Sequence, residues 1–137
     1  MPNRFQPTFL RMTQIMALRI SAVLGFLAVA LGAFGAHAMK DTLVANGTTA
    51  IWEKAVFYHF IHTIVLYVLA GRLTSGFGPW WCFLAGIFIF SGSLYLLAGL
   101  NIRWLGAITP IGGVSLLAGW LWLAIKPLVA HNPATLP

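Results

Sequence analysis

The chain has 137 residues, eight basic and two acidic side chains and a net charge of +6; it is 60% hydrophobic and 7% charged, with a mean hydropathy of +0.89. Soluble domains carry about 25% charged residues, so this chain cannot cover a water-facing surface with polar groups, and the surface has to face lipid. The bases stand singly beside apolar runs instead of clustering on one element, which excludes a nucleic-acid stripe.

Taken in order, residues 1–12 form an N-terminal tail with Arg4 and Arg11, followed by a first apolar span over 13–36. Arg19 lies near the start of that span, where its long side chain can snorkel to the headgroups. Ser21, Gly25, Ala28, Gly32 and Ala36 recur every three or four residues. In lipid, helices associate by close backbone approach, so such a row is a packing face. The same region imitates a secretory signal, with an Arg-rich start and Ala36-His37-Ala38 as an A-x-A site. Its many glycines and its long apolar run argue against cleavage. Asn46-Gly47-Thr48 matches a glycosylation acceptor, but Asn-Gly between two spans reads as a turn.

The second span, 51–71, is the least apolar. It opens with Trp52, Glu53 and Lys54, and the acid and base are expected in the interface, with 55–71 crossing. The third, 80–100, has no charge, and Ser91, Tyr95 and Ala98 form one stripe along it. Asn101 to Arg103 make a tight hairpin into the fourth span, 104–125, where Gly112, Ser115 and Gly119 repeat the small-residue spacing. Pro110 falls inside this span and leaves the Gly106 carbonyl without its usual donor, so a kink or break is expected near 109–113. Such a break is either architectural or a solute site. Residues 126–137 are the C-terminal tail.

Tryptophan supports the layout. Trp52, Trp80, Trp81 and Trp104 open spans and Trp120 and Trp122 close the last, where indoles favour the headgroup level. Arg4, Arg11, Arg19, Arg72 and Lys126 share one side, against Lys40, Lys54 and Arg103 on the other. That bias favours both termini in the cytoplasm. The expected fold is a single all-α, polytopic membrane domain: a compact bundle of four transmembrane helices whose small faces meet, with the lipid bilayer as its surroundings.

Little in the chain carries chemistry. Cys82 is the only cysteine, which precludes an intrachain disulfide or a thiolate zinc site. Asp41 and Glu53 are the only acids and both lie in or near the 37–54 connector, whereas proton-coupled pumps usually rely on a membrane-embedded carboxylate. No nucleophile has a recognisable base and acid beside it, and Ser91-Gly92-Ser93 reads as helix packing. No catalytic residue, metal or cofactor is expected.

Two histidines in the run AVFYHFIHTIVL raise the sharpest question. Tyr58 and His62 are four apart and stack along one helix face; His59 sits about 60° round from His62. A buried neutral imidazole needs partners for one donor and one acceptor, and Ser91, Ser93, Tyr95 and Thr109 offer hydroxyls at comparable depth. A structural network of Tyr58 and His62 with these hydroxyls is the preferred reading. Haem or metal ligation would need a second nitrogen at the same depth, and His37, towards the far end of its own helix, does not evidently supply it.

The stretches LGAFGAHAMK (31–40), FYHFIHT (57–63), FSGSLYLLAG (90–99) and ITPIGGVSLLAGW (108–120) resemble the small four-span bacterial family known as domain of unknown function 423, whose animal relatives are called transmembrane protein 256-like. The likeness runs from about Leu24 to Ala124. It implies a bacterial inner-membrane protein of four helices and no known reaction, and it makes GAFGAH part of the mature chain. By this resemblance the signature positions are Gly32, Gly35 and His37, then Tyr58 and His62, Ser91, Gly92, Ser93 and Tyr95, and finally Thr109, Pro110, Gly112 and Gly113. His59 is not among them. A non-catalytic accessory protein of the inner membrane is the first functional expectation, within a larger complex or as a homo-oligomer. An oligomeric channel or carrier for a small solute is the second, and a haem- or quinone-binding subunit the third.

Overall fold

The computed structural model describes residues 8–72 and 77–126. Arg4, the loop residues 73–76 and the C-terminal tail beyond Lys126 lie outside the described residues. α1 runs Thr8–Ala36, so helix already occupies part of the expected tail; α2 is Lys40–Asn46 and α3 is Thr49–Arg72. The third span is α4 (Gly78–Gly86), a π-helical turn (Ile87–Ser91) and α5 (Gly92–Leu100) in one line. A 3-10 turn, Arg103–Ala107, leads to α6, Thr109–Ile125. Among the described residues four stretches, Met12–Ala36, Thr49–Arg72, Gly78–Leu100 and Arg103–Ile125, are long and apolar enough to cross a membrane.

Three local features depart from the sequence expectation. The 37–50 connector contains α2, ended by Gly47 in the left-handed region (φ 67°) that glycine adopts without steric cost. Pro110 is not in a helix interior, because the break comes earlier, at the end of the 3-10 turn, and α6 starts at Thr109. Proline thus stands in the first turn, where its missing N–H costs nothing. Third, Trp52 and Trp80 are buried, at 6% and 2% exposure, while Trp81 and Trp104 face outward. The first two span-opening indoles are core residues and not headgroup anchors.

α1 packs chiefly on α3, and α6 packs on α4 and the π turn. The small face of α1 therefore meets α3 and not the small faces of the later spans. At Gly25 an added Cβ would lie 3.5 Å from Thr63, and at Gly32 it would lie 3.3 Å from Val56. Gly35 is overlain by the Trp52 indole, whose N–H donates to the Leu31 carbonyl at 3.0 Å. Ala36, expected on that face, is exposed. On the other side Gly112 lies against the Phe90 backbone and Gly119 against the Phe83 ring, so α6 approaches at backbone distance. At Gly113 an added Cβ would lie 3.8 Å from the edge of the Phe90 ring.

The core has two parts. Leu66, Trp80, Phe83, Ile87 and Leu116 centre the larger one, towards the Arg72 end. Leu43 of α2, Trp52 and Ala98 make the smaller one at the connector end. Phe26, Val29, Val114, Leu117 and Leu121 are exposed, an apolar outer surface suited to lipid.

Candidate functional site

The polar groups inside the bundle fall into separate sets. His62 is buried on α3. Its Nε2 lies 3.2 Å from the Trp120 indole N–H and its Nδ1 lies 2.8 Å from the Tyr58 carbonyl. An indole can only donate and a carbonyl can only accept, so Nε2 is the acceptor and the proton sits on Nδ1. Both ring nitrogens are then used, by a back-bond within α3 and by a bond to α6. The Tyr58 ring stacks on the imidazole, centroids 5.7 Å apart and 17° from parallel, and also meets Phe90 at 4.6 Å.

His59, which the family pattern leaves out, is equally buried. Its Nδ1 shares a hydrogen bond with the Tyr95 hydroxyl at 3.3 Å, joining α3 to α5. Tyr95 also packs edge-on against Trp52, 4.9 Å between centroids. No spacing rule singles out His59; the signal was available only in Tyr95 facing it one span away.

Ser93 and Thr109 pair with one another at 2.8 Å, linking α5 to the start of α6. Ser93 also reaches the Phe90 carbonyl (3.0 Å) and Thr109 the Leu105 carbonyl (3.3 Å). Two hydroxyls carry two protons, so two of these three bonds exist at once. The Ser115 hydroxyl donates to the Cys82 carbonyl at 2.8 Å, a further tie between α6 and α4. The hydroxyls of Ser93 and Thr109 thus hold each other and do not reach His62.

Ser91 belongs to none of these pairs. Its Oγ, with His59 Nε2, Thr63 Oγ1 and Trp80 Nε1, is buried without a hydrogen-bond partner among the described residues. His59 and Tyr95 fix the antiparallel register of α3 against the third span. Thr63 lies on the side of α3 that meets Gly25 of α1. Trp80 belongs to the larger part of the core, towards the Arg72 end, and Ser91 closes the π turn.

His37 is exposed just beyond α1. Among the described residues no three His, Cys, Asp or Glu side chains come together as a metal-binding group would require. The side-chain hydrogen bonds of His59, His62, Ser93 and Ser115 each join two neighbouring helices.

A four-span helical membrane bundle tied by single polar cross-links is the class that fold and site define. The family described as "Protein of unknown function (DUF423)" matches over residues 31–113, and the chain belongs to it. It is similar to the "UPF0382 membrane protein" of Staphylococcus epidermidis (strain ATCC 12228), 46% identical over 113 residues, covering 80% of this chain and 92% of the relative. The UPF0382 membrane protein YwdK of Bacillus subtilis (strain 168) is 41% identical, covering 77% and 90%. The UPF0382 inner membrane protein YgdD of Escherichia coli (strain K12) is 40% identical, covering 83% and 90%. These names state a membrane location and no reaction. No solved structure matches the chain.

Proposed function

We propose that the protein is a non-catalytic accessory component of the bacterial inner membrane, with both termini in the cytoplasm, that associates with another membrane protein. The observation that carries this reading is the bonding of His62. At His62 Tyr58 takes one ring nitrogen and Trp120 the other, so neither is left for a solute or a mobile proton. Ser93–Thr109 and Ser115–Cys82 are spent in the same way, as fasteners. The inner-membrane location is supported by the name of the E. coli relative, and the orientation by the excess of Arg and Lys at the terminal side.

Native mass spectrometry of the protein extracted in mild detergent tests the reading. The expected result is a complex with one other polypeptide, together with a His62→Ala variant that is less stable yet changes no solute flux in liposomes. A homo-oligomer alone, or a flux that His62→Ala abolishes while the helices persist, would replace this reading by a pore or carrier. Labelling of single cysteines placed at Ala38 and at Lys126, in a Cys82→Ser background, tests the orientation. Reagent that does not cross the membrane should label Ala38→Cys from outside and leave Lys126→Cys untouched.

A further inference from the structure

On the outer side of the α1–α3 pair lies a groove of about 740 Å³. Ala28, Gly32 and Ala36 of α1 make its floor, and Phe57, Phe60 and Ile61 of α3 stand beside it. At one end its rim carries Lys40, Thr49 and Glu53. We infer that this groove binds one amine-bearing phospholipid, the ethanolamine type, with its acyl chain along the floor, its phosphate at Lys40 and its ammonium at Glu53.

Length decides between a lipid chain and a partner helix. From Ala36 to Ala28, and from Glu53 to Ile61, there are eight residues, about 12 Å of helix at 1.5 Å per residue. The hydrocarbon core is about 30 Å thick, so the groove spans one leaflet and stops. A transmembrane partner would need a seam across both leaflets. A chain anchored at a headgroup needs only this one.

Charge decides the headgroup. The rim is not a basic patch; it offers one exposed base and one exposed acid, from the start of α2 and the first turns of α3. An anionic headgroup would gain at Lys40 and be repelled at Glu53. A zwitterionic headgroup with a primary amine has an opposite charge for each, and the Thr49 hydroxyl can donate to the phosphate. The interfacial layer, where these side chains end, screens charge less than bulk water. This site stands apart from the accessory reading, which rests on the interior bonds.

The full chain in mild detergent, titrated with equal amounts of dioleoyl phosphatidylethanolamine and dioleoyl phosphatidylglycerol and read by native mass spectrometry, provides the test. One retained ethanolamine lipid is expected in about fivefold preference over the glycerol lipid, the scale of one interfacial ion pair. Glu53→Gln should erase the preference, and Lys40→Gln should weaken both lipids alike. Ala36→Phe, at an exposed floor position, should strip the bound lipid while helix content by circular dichroism stays unchanged. Equal retention of the two lipids by the unsubstituted protein overturns the proposal. So does a preference that survives Glu53→Gln, or lipid still held by Ala36→Phe.

Discussion

The indole N–H of Trp120 donates to Nε2 of His62, 3.2 Å away and 58 residues distant in sequence. Because α3 and α6 otherwise meet mainly through the third span, this bond is a direct polar tie between them. It also fixes the tautomer of the histidine, which sends its own proton to the Tyr58 carbonyl.

Trp120→Phe keeps an aromatic ring, a smaller one, and removes the donor, leaving Nε2 unpaired beside Phe83. Interhelical hydrogen bonds in membranes contribute about 0.6 kcal/mol on average and up to about 1.7. The expected loss for Trp120→Phe is therefore about 1 kcal/mol, and His62→Ala should cost more because it also removes a packed ring. A double-mutant cycle by unfolding in detergent should give a coupling of about 0.6 kcal/mol. A coupling of zero would mean that the bond does not form.

The connector is fastened to the third span through a single carbonyl. Ala98 lies in the last turn of α5, where carbonyls lack helical partners. It accepts from Thr48 Oγ1 at 2.9 Å and from Asn46 Nδ2 at 3.3 Å. Thr48→Val, which keeps the shape and removes the donor, should cost about 1 kcal/mol. Hydrogen exchange should quicken at the 97–101 amides and stay unchanged at the centre of α6. Uniform quickening would show that the connector acts on the whole bundle and not on this end.

How far sequence alone reaches is visible in these same residues. Four spans, their order and the small-residue faces follow from apolar length and from glycine spacing, which are local properties. Trp52 shows the limit: its place at a span opening suggested a headgroup anchor, yet Gly35 leaves room for the indole to lie inward on the Leu31 carbonyl. That depends on which helix faces which, and one-dimensional periodicity does not specify neighbours. The partners of His62 fail in the same way, since serines and threonines were the evident donors and a tryptophan counted as an anchor supplies the bond. Pro110 was misplaced for another reason, because an apolar run does not reveal where 3-10 geometry hands over to α-helix.

At a helix start proline lacks no hydrogen bond and mainly restricts the unfolded chain, an effect of about 0.4–1 kcal/mol. Pro110→Ala should lower stability by no more than this. Pro110→Ala should also leave the Ser93–Thr109 pair in place, which the additivity of Pro110→Ala with Ser93→Ala would show. A gain in stability would mean that the ring strains α6.

Ser91 is expected to respond in the opposite sense from Ser93. The Ser93 hydroxyl is paired, and Ser93→Ala should cost about 1 kcal/mol. Ser91 Oγ is buried with no partner among the described residues, so Ser91→Ala removes a desolvated hydroxyl and leaves little space. Stability should hold or rise by up to about 1 kcal/mol. A clear loss on thermal unfolding would mean that the hydroxyl makes a bond that holds the bundle.

Two adjacent glycines in α6 offer the sharpest contrast. Gly112 and Gly113 stand in the same helix, and alanine has the higher helix propensity at both by about 1 kcal/mol in water. At Gly112 a Cβ would overlap the Phe90 backbone. A main chain cannot swing aside like a side-chain tip, so α6 must lift from the π turn and loosen the Gly119–Phe83 and Ser115–Cys82 contacts with it. At Gly113 the same Cβ would rest 3.8 Å from the Phe90 ring, an ordinary contact. Gly112→Ala should therefore destabilise by about 1–3 kcal/mol, the range for overpacking, while Gly113→Ala should be neutral or stabilising. Equal effects at the two positions, measured by unfolding in the same detergent, would mean that the α6 seam does not run through Gly112.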